Sequence, residues 1–141
     1  MTVPTEDLIE QVLDDEMIEE RDAPKGITEV ARLLTLSPYT LRYYEQEGLV
    51  LPARNASGYR AYSAFDLRRL VFLTRMRLSG MTMHDLKRYI ALVEHGEATI
   101  AERRRIMLDQ RDRIERRLRE LTLALETTEY KIRTYGGAPD G

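Results

Sequence analysis

Apolar residues fall at helical spacing along most of this chain, and the breaks between those stretches are sharp. In TEDLIEQVLDDEMIEER, residues 5–21, Leu8, Ile9, Val12, Leu13 and Met17 share one face and acids fill the other, which predicts a short amphipathic acidic helix. Ala23-Pro24-Lys25-Gly26 ends it, because proline lacks an N–H and disfavours helix in the residue before it, so 22–26 reads as a linker. Two short helices follow. Thr28 is the expected cap of the first, with Val30, Ala31, Leu33 and Leu34 as its apolar positions. Ser37 and Pro38 supply an N-cap and a first-turn proline for the second, and Gly48 its C-terminal stop.

Strand-like patterning appears at Leu49-Val50-Leu51 and at Tyr59-Arg60-Ala61-Tyr62, joined through Pro52 and the turn residues Asn55-Ala56-Ser57-Gly58. This predicts a short β-hairpin, a wing. Ser63 with Asp66 resembles a capping box opening a helix through Leu67, Leu70, Val71 and Leu73. Gly80 closes that helix, and Thr82 with Asp85 opens another to about Val93. Residues 97–135 contain neither Pro nor Gly. Over them a seven-residue repeat through Ile100, Met107, Ile114, Leu121, Thr128 and Tyr135 interleaves with Arg104, Arg111, Leu118, Leu125 and Ile132. That seam is apolar from Ile114 onward, and one charged helix cannot bury such a stripe alone. Pairing with a second copy is the economical outcome, with Met107, Ile114, Leu118, Leu121, Leu125 and Ile132 as the dimerisation residues.

Charge sharpens this picture. The chain has 22 Lys plus Arg against 24 Asp plus Glu, net −2, but the distribution is uneven. Residues 1–23 carry nine acids and one base, residues 24–93 eleven bases and five acids, and residues 94–141 ten of each. A basic block containing a helix-turn-helix and a wing points to a polyanion partner, because its cations release phosphate counterions. The acidic leader beside it reads as a solvated or loosely docked helix, a competitor for that basic face, or a docking segment for a partner.

The chain has no Cys, which removes disulfides, thiolate metal sites, Cys nucleophiles and thiol sensing. No apolar run reaches the roughly 18–20 residues a bilayer-spanning helix needs, so a membrane is not an expected partner. His84 and His95 read as exposed histidines rather than a metal pair, and neither metal nor cofactor is expected. No phosphate loop, no nucleophile with a base and no metal-ligand spacing supports an enzyme.

The string Leu41-Arg42-Tyr43-Tyr44-Glu45, then Gly48-Leu49-Val50, Pro52, Arg54 and Ser57-Gly58-Tyr59-Arg60-Ala61-Tyr62-Ser63, resembles the MerR family of bacterial transcription regulators. The likeness spans about residues 27–133. It implies a mainly α fold, a winged helix-turn-helix DNA-binding domain (27–95) followed by a long antiparallel coiled-coil dimerisation helix (96–135), while the acidic extension and linker (1–26) and the tail (136–141) lie outside the likeness. It also implies a homodimer on two half-sites of promoter double-stranded DNA, kinking and untwisting the spacer and acting on RNA polymerase indirectly. By the same resemblance Arg42 contacts DNA from the recognition helix, Tyr39 reads sequence, and Tyr44 reaches phosphate through its hydroxyl. Arg54, Tyr59 and Arg60 grip backbone from the wing, with Gly58 permitting its turn.

Thr28, Thr40, Ser57 and Tyr62 complete the candidate DNA-contacting set, Tyr62 standing open between wing core and phosphate contact. Tyr43 is expected under the wing. The ending TTEYKIRTY resembles aldehyde-responsive small relatives, which raises an unidentified small-molecule effector. Such a regulator is expected in the bacterial cytoplasm, at the nucleoid. An excisionase-like architectural DNA binder and a coiled-coil protein adaptor are the other readings. The first would lack the long helix, and the second leaves Arg42, Arg54 and Arg60 unexplained.

Overall fold

The computed structural model describes residues 23–136. They divide into two units, one ending at Glu94 and one beginning at His95. In the first, α1 (Ile27–Leu34) and α2 (Pro38–Gln46) precede a hairpin of β1 (Ala53–Arg54) and β2 (Arg60–Ala61), and α3 (Ala64–Leu78) and α4 (Met83–Glu94) complete it. The acidic helix expected at 5–21 lies outside the described residues.

Capping explains most of the boundaries. Ser37 Oγ accepts from Thr40 N–H at 3.0 Å with Pro38 in the first turn of α2. Ser63 and Asp66 form a reciprocal capping box at the start of α3, and Thr82 Oγ1 accepts from Asp85 N–H at 3.1 Å ahead of α4. The start of α1 differs from expectation: Gly26 is its N-cap, without a side-chain bond, and Thr28 lies exposed inside the first turn.

Three helices end in the same way, with paired backbone bonds of the Schellman type. Leu36 N–H bonds Ala31 C=O and Thr35 N–H bonds Arg32 C=O; Leu49 and Gly48 reach Tyr44 and Glu45; Met81 and Gly80 reach Met76 and Arg77. The motif needs a left-handed residue. Gly48 and Gly80 meet that need at φ 78° and 96°, whereas α1 uses Thr35 at φ 57°.

Closing α2 this way accounts for a second departure. Leu49-Val50-Leu51 is not a strand, because the Leu49 amide is spent on Tyr44 and Pro52 has none to give. The run instead packs Leu49 and Val50 into the core and leaves Leu51 exposed. Arg69 Nη1 holds the Leu49 carbonyl at 3.2 Å.

The core of this unit is built from Val30, Leu41, Tyr62, Leu70, Leu73, Met81 and Leu86, all without exposed surface. Each such side chain stabilises the fold by about 1.5–3 kcal/mol on burial.

In the second unit a 3-10 turn, Glu97–Thr99, leads into α5 (Ile100–Gly136). The sequence pattern begins the helix at Glu97, but Gly96 C=O accepts from Thr99 N–H, Thr99 Oγ1 and Arg103 Nη2 at 3.1, 2.8 and 3.1 Å, which tightens the first turn. The 37 residues of α5 extend over about 55 Å. Met107 and Ile114 are half-buried, whereas Leu118, Leu121, Leu125 and Ile132 are all exposed by more than half.

Candidate nucleic-acid interface

Helical phase divides α2 cleanly. Leu41 and Tyr44, three residues apart, are buried. One step of about 100° further round, Tyr39, Arg42 and Tyr43 lie together on the exposed face at i, i+3 and i+4. Tyr39 is 72% exposed, so an aromatic ring and a guanidinium stand free on the helix that follows the turn. Thr40 is half-buried, and its hydroxyl lies 3.0 Å from Ser37 Oγ in the capping network.

The two tyrosines therefore sit opposite to the expected arrangement. Tyr43, expected to pack under the wing, is 37% exposed beside Arg42, while the Tyr44 ring lies in the core at 5%. Burial pushes the Tyr44 hydroxyl above its usual range, against a partial pull from Arg77.

The wing is short and organised by one side chain. Asn55 Oδ1 accepts from Ser57 N–H at 2.9 Å and Tyr59 N–H at 3.0 Å, while Gly58 N–H donates to Asn55 C=O at 2.9 Å. Gly58 holds φ 87°, in the left-handed region. This leaves Ser57, Gly58 and Tyr59 exposed at the tip, Tyr59 by 71%. Below the tip the register sets Arg54 directly opposite Arg60.

Two guanidiniums so placed repel, and the residue that reconciles them comes from α2. Arg60 Nε donates to Glu45 Oε1 at 2.6 Å, and Arg54 Nη2 lies 3.6 Å from Glu45 Oε2. The Glu45 hydrogen bond raises the Arg60 pKa above its ordinary value. Glu47 makes a second link from α2, accepting from Lys87 Nζ at 2.8 Å.

Tyr62, left open from the sequence, lies wholly in the wing core with no exposed surface, so in this conformation it offers nothing to a phosphate. Thr28 is exposed and lines a groove of about 430 Å³ with Gly26, Ile27, Glu29, Arg54, Tyr59 and Arg60. The structure thus brings Thr28, Arg54, Tyr59 and Arg60 together, and Tyr39 with Arg42 on α2. Tyr44 and Tyr62 join the core instead.

Glu45, beside the wing arginines, is the residue that sequence reasoning missed. Asn55, read only as a turn residue, bonds the tip amides, and the exposure of Tyr43 had a usable local signal in its helical phase relative to Leu41. Among the described residues no group of His, Cys, Asp and Glu could hold a metal ion, and no described helix is long and apolar enough to cross a membrane.

Residues 26–92 match the family described as MerR HTH family regulatory protein, and residues 67–127 match MerR, DNA binding. The chain is 35% identical over 112 residues to the HTH-type transcriptional regulator HmrR of Rhizobium leguminosarum bv. viciae, covering 79% of this chain and 87% of that one. It is 37% identical over 90 residues to the HTH-type transcriptional regulator AdhR of Bacillus subtilis, covering 63% and 64%. Among solved structures it resembles HiNmlR, a MerR family regulator lacking the sensor domain and bound to promoter DNA. That likeness has 31% identity and a TM-score of 0.75, and covers 79% of this chain and 85% of that one.

Proposed function

Because this chain belongs to the MerR family of HTH transcriptional regulators, we propose that two copies pair antiparallel along α5 and set their α2 faces and wings on one promoter duplex. The carrying observation is the pairing of two exposed surfaces within a single chain. One is Tyr39 and Arg42 on α2 with Arg54 and Tyr59 in and beside the wing and the half-buried Arg60 next to them, and the other is the apolar stripe on α5.

The stripe supplies the reason to dimerise. Leu118, Leu121, Leu125 and Ile132 remain more than half exposed, and covering each contributes on the order of 1 kcal/mol or more. Dimer symmetry then fixes the separation of two identical reading heads, as two half-sites require. Tyr39 and Arg42 supply groove contacts, and a guanidinium suits bidentate contact with guanine or phosphate. Arg54, Tyr59 and Arg60 hold backbone.

Bending and untwisting the spacer costs on the order of 1–10 kcal/mol, offset by the added phosphate contacts. Changing the geometry of promoter elements in this way is how the dimer acts on RNA polymerase without needing to touch it. The setting is the cytoplasm, at the nucleoid. An effector of carbonyl or other small-molecule chemistry is part of the proposal only through the likeness of the TTEYKIRTY ending.

Footprinting on the DNA upstream of its own coding sequence tests this directly, combined with sedimentation of the free protein. Protection between the promoter elements by a species of two chains is the expected result. A stable monomer without preference for any double-stranded site would overturn it. Leu118→Glu with Leu125→Glu is expected to give that monomer and to weaken promoter binding at least tenfold, about 1.4 kcal/mol.

A further inference from the structure

The wing arginines are not free cations in this protein. Arg54 and Arg60 face each other across a hairpin of two-residue strands, where like charges directly opposite destabilise the pair and little backbone pairing compensates. Glu45 lies between them. Its contacts are unequal: 2.6 Å to Arg60 Nε, a charge-assisted hydrogen bond, against 3.6 Å to Arg54 Nη2, a loose ion pair. The Arg60 and Glu45 side chains are 23% and 21% exposed, whereas Arg54 is 48% exposed. One carboxylate therefore positions Arg60 and only shades Arg54.

We propose that Glu45 is a specificity-determining residue, fixing the wing against the recognition helix through Arg60 while subtracting positive charge from the surface offered to any duplex. The inference rests on the DNA-binding function proposed above. Its logic lies in the difference between two kinds of complex. Non-specific binding is driven by phosphate neutralisation and counterion release, so it responds to net charge at the surface and little to geometry. Specific binding needs the wing to land in register with α2, because phosphate contacts set the orientation in which base contacts form. A carboxylate that repels phosphates but holds the wing in place penalises the first complex and supports the second. Specificity is the difference between these affinities, and Glu45 widens it from both sides.

The two roles separate experimentally in the full chain. The probes are the duplex that the wild-type protein selects from a random library and a scrambled duplex of the same composition. Glu45→Gln removes the charge. It is expected to tighten scrambled-duplex binding, steepen its salt dependence and leave selected-duplex binding unchanged or weaker, so the ratio of the two Kd values falls about tenfold. Glu45→Asp keeps the charge and shortens the reach. It is expected to weaken the selected complex alone.

Arg60→Lys keeps the cation but loses the Nε donor, and serves if either Glu45 variant fails to fold. It too is expected to weaken the selected complex, and by a clearly larger factor than the scrambled one, since the cation itself is kept. Equal factors on both duplexes for Glu45→Gln, or wild-type behaviour of Arg60→Lys on both, would overturn the inference. Failure of the wild-type chain to select any duplex would instead overturn the proposed function, so the two failures are distinguishable.

Discussion

Lys25 and Tyr62 exchange two backbone hydrogen bonds, Lys25 N–H to Tyr62 C=O at 3.0 Å and Tyr62 N–H to Lys25 C=O at 2.8 Å. The segment entering α1 thereby extends the wing beyond β2, and the Tyr62 side chain is fully buried. Its hydroxyl is buried and has no hydrogen-bond partner among the described residues, which is costly where water is excluded. Tyr62→Phe is therefore expected to keep or raise the unfolding free energy and to leave DNA affinity unchanged, whereas Tyr62→Ala should lower stability by about 3–5 kcal/mol. Urea titrations and a binding isotherm check both, and a large loss of affinity in Tyr62→Phe would restore the phosphate-contact reading.

The same tyrosine links stability to pH. Burial raises the Tyr62 hydroxyl above its usual 10.0, and Tyr44 shifts the same way for the same reason. The folded state thus keeps these protons where the unfolded chain releases them. Their stabilising effect is fully present below pH about 10 and is lost as pH rises through the folded values. Unfolding midpoints should fall with pH above that point, and fall less steeply in Tyr62→Phe. Identical slopes for the two proteins would show that the ring is solvated.

How far all this was legible follows from how local each signal is. The caps at Ser37, Ser63 and Thr82 are written within four residues, so α2, α3 and α4 open where the pattern places them. Thr28 misled because Gly26 already opens the backbone for α1. Leu49-Val50-Leu51 has strand composition, but the amide that a strand needs goes to closing α2. Tyr43 and Tyr44 differ by one helical step, and only the packing of Leu41 decides which ring turns inward. Glu45 gave no local sign of its role, since its partners lie nine and fifteen residues away and the hairpin register alone brings them together.

Thr35 occupies the left-handed position that Gly48 and Gly80 fill at the ends of α2 and α3. A β-branched residue there carries about 1–2 kcal/mol of backbone strain that glycine does not. Glycine's larger unfolded-state entropy takes back part of this gain. Thr35→Gly is expected to stabilise the domain by about 0.5–1 kcal/mol, read as a rise in the thermal midpoint. A fall would mean that the contacts of the Thr35 side chain outweigh its strain.

Arg42 stands on the exposed face of α2 with Tyr39 and Tyr43, and its variant tells base reading from backbone holding. If the guanidinium reads a base edge, Arg42→Ala costs about 1–3 kcal/mol on the selected duplex and relaxes discrimination at one position of each half-site. If it holds phosphate, affinity falls evenly across sequences and the salt slope drops by about one. Competition against singly substituted duplexes separates these outcomes. Undiminished affinity in every case would remove α2 from the interface.

The acidic leader lies outside the described residues, but where it joins them is known. Lys25 exchanges backbone bonds with Tyr62 of the wing, and the sequence before it carries nine acids and one base within residues 1–23. If that leader acts as a tethered polyanion at high effective concentration, it competes with DNA for the basic face. Replacing the leader acids by Gln and Asn in the full chain is expected to tighten promoter binding at low salt. The gain should shrink as ionic strength rises and the screening length falls from about 10 Å at 0.1 M to 3 Å at 1 M. Fluorescence anisotropy at several salt concentrations gives both numbers from one series. Superimposable curves for the two proteins would show that the leader leaves the basic face alone and dispose of the competition.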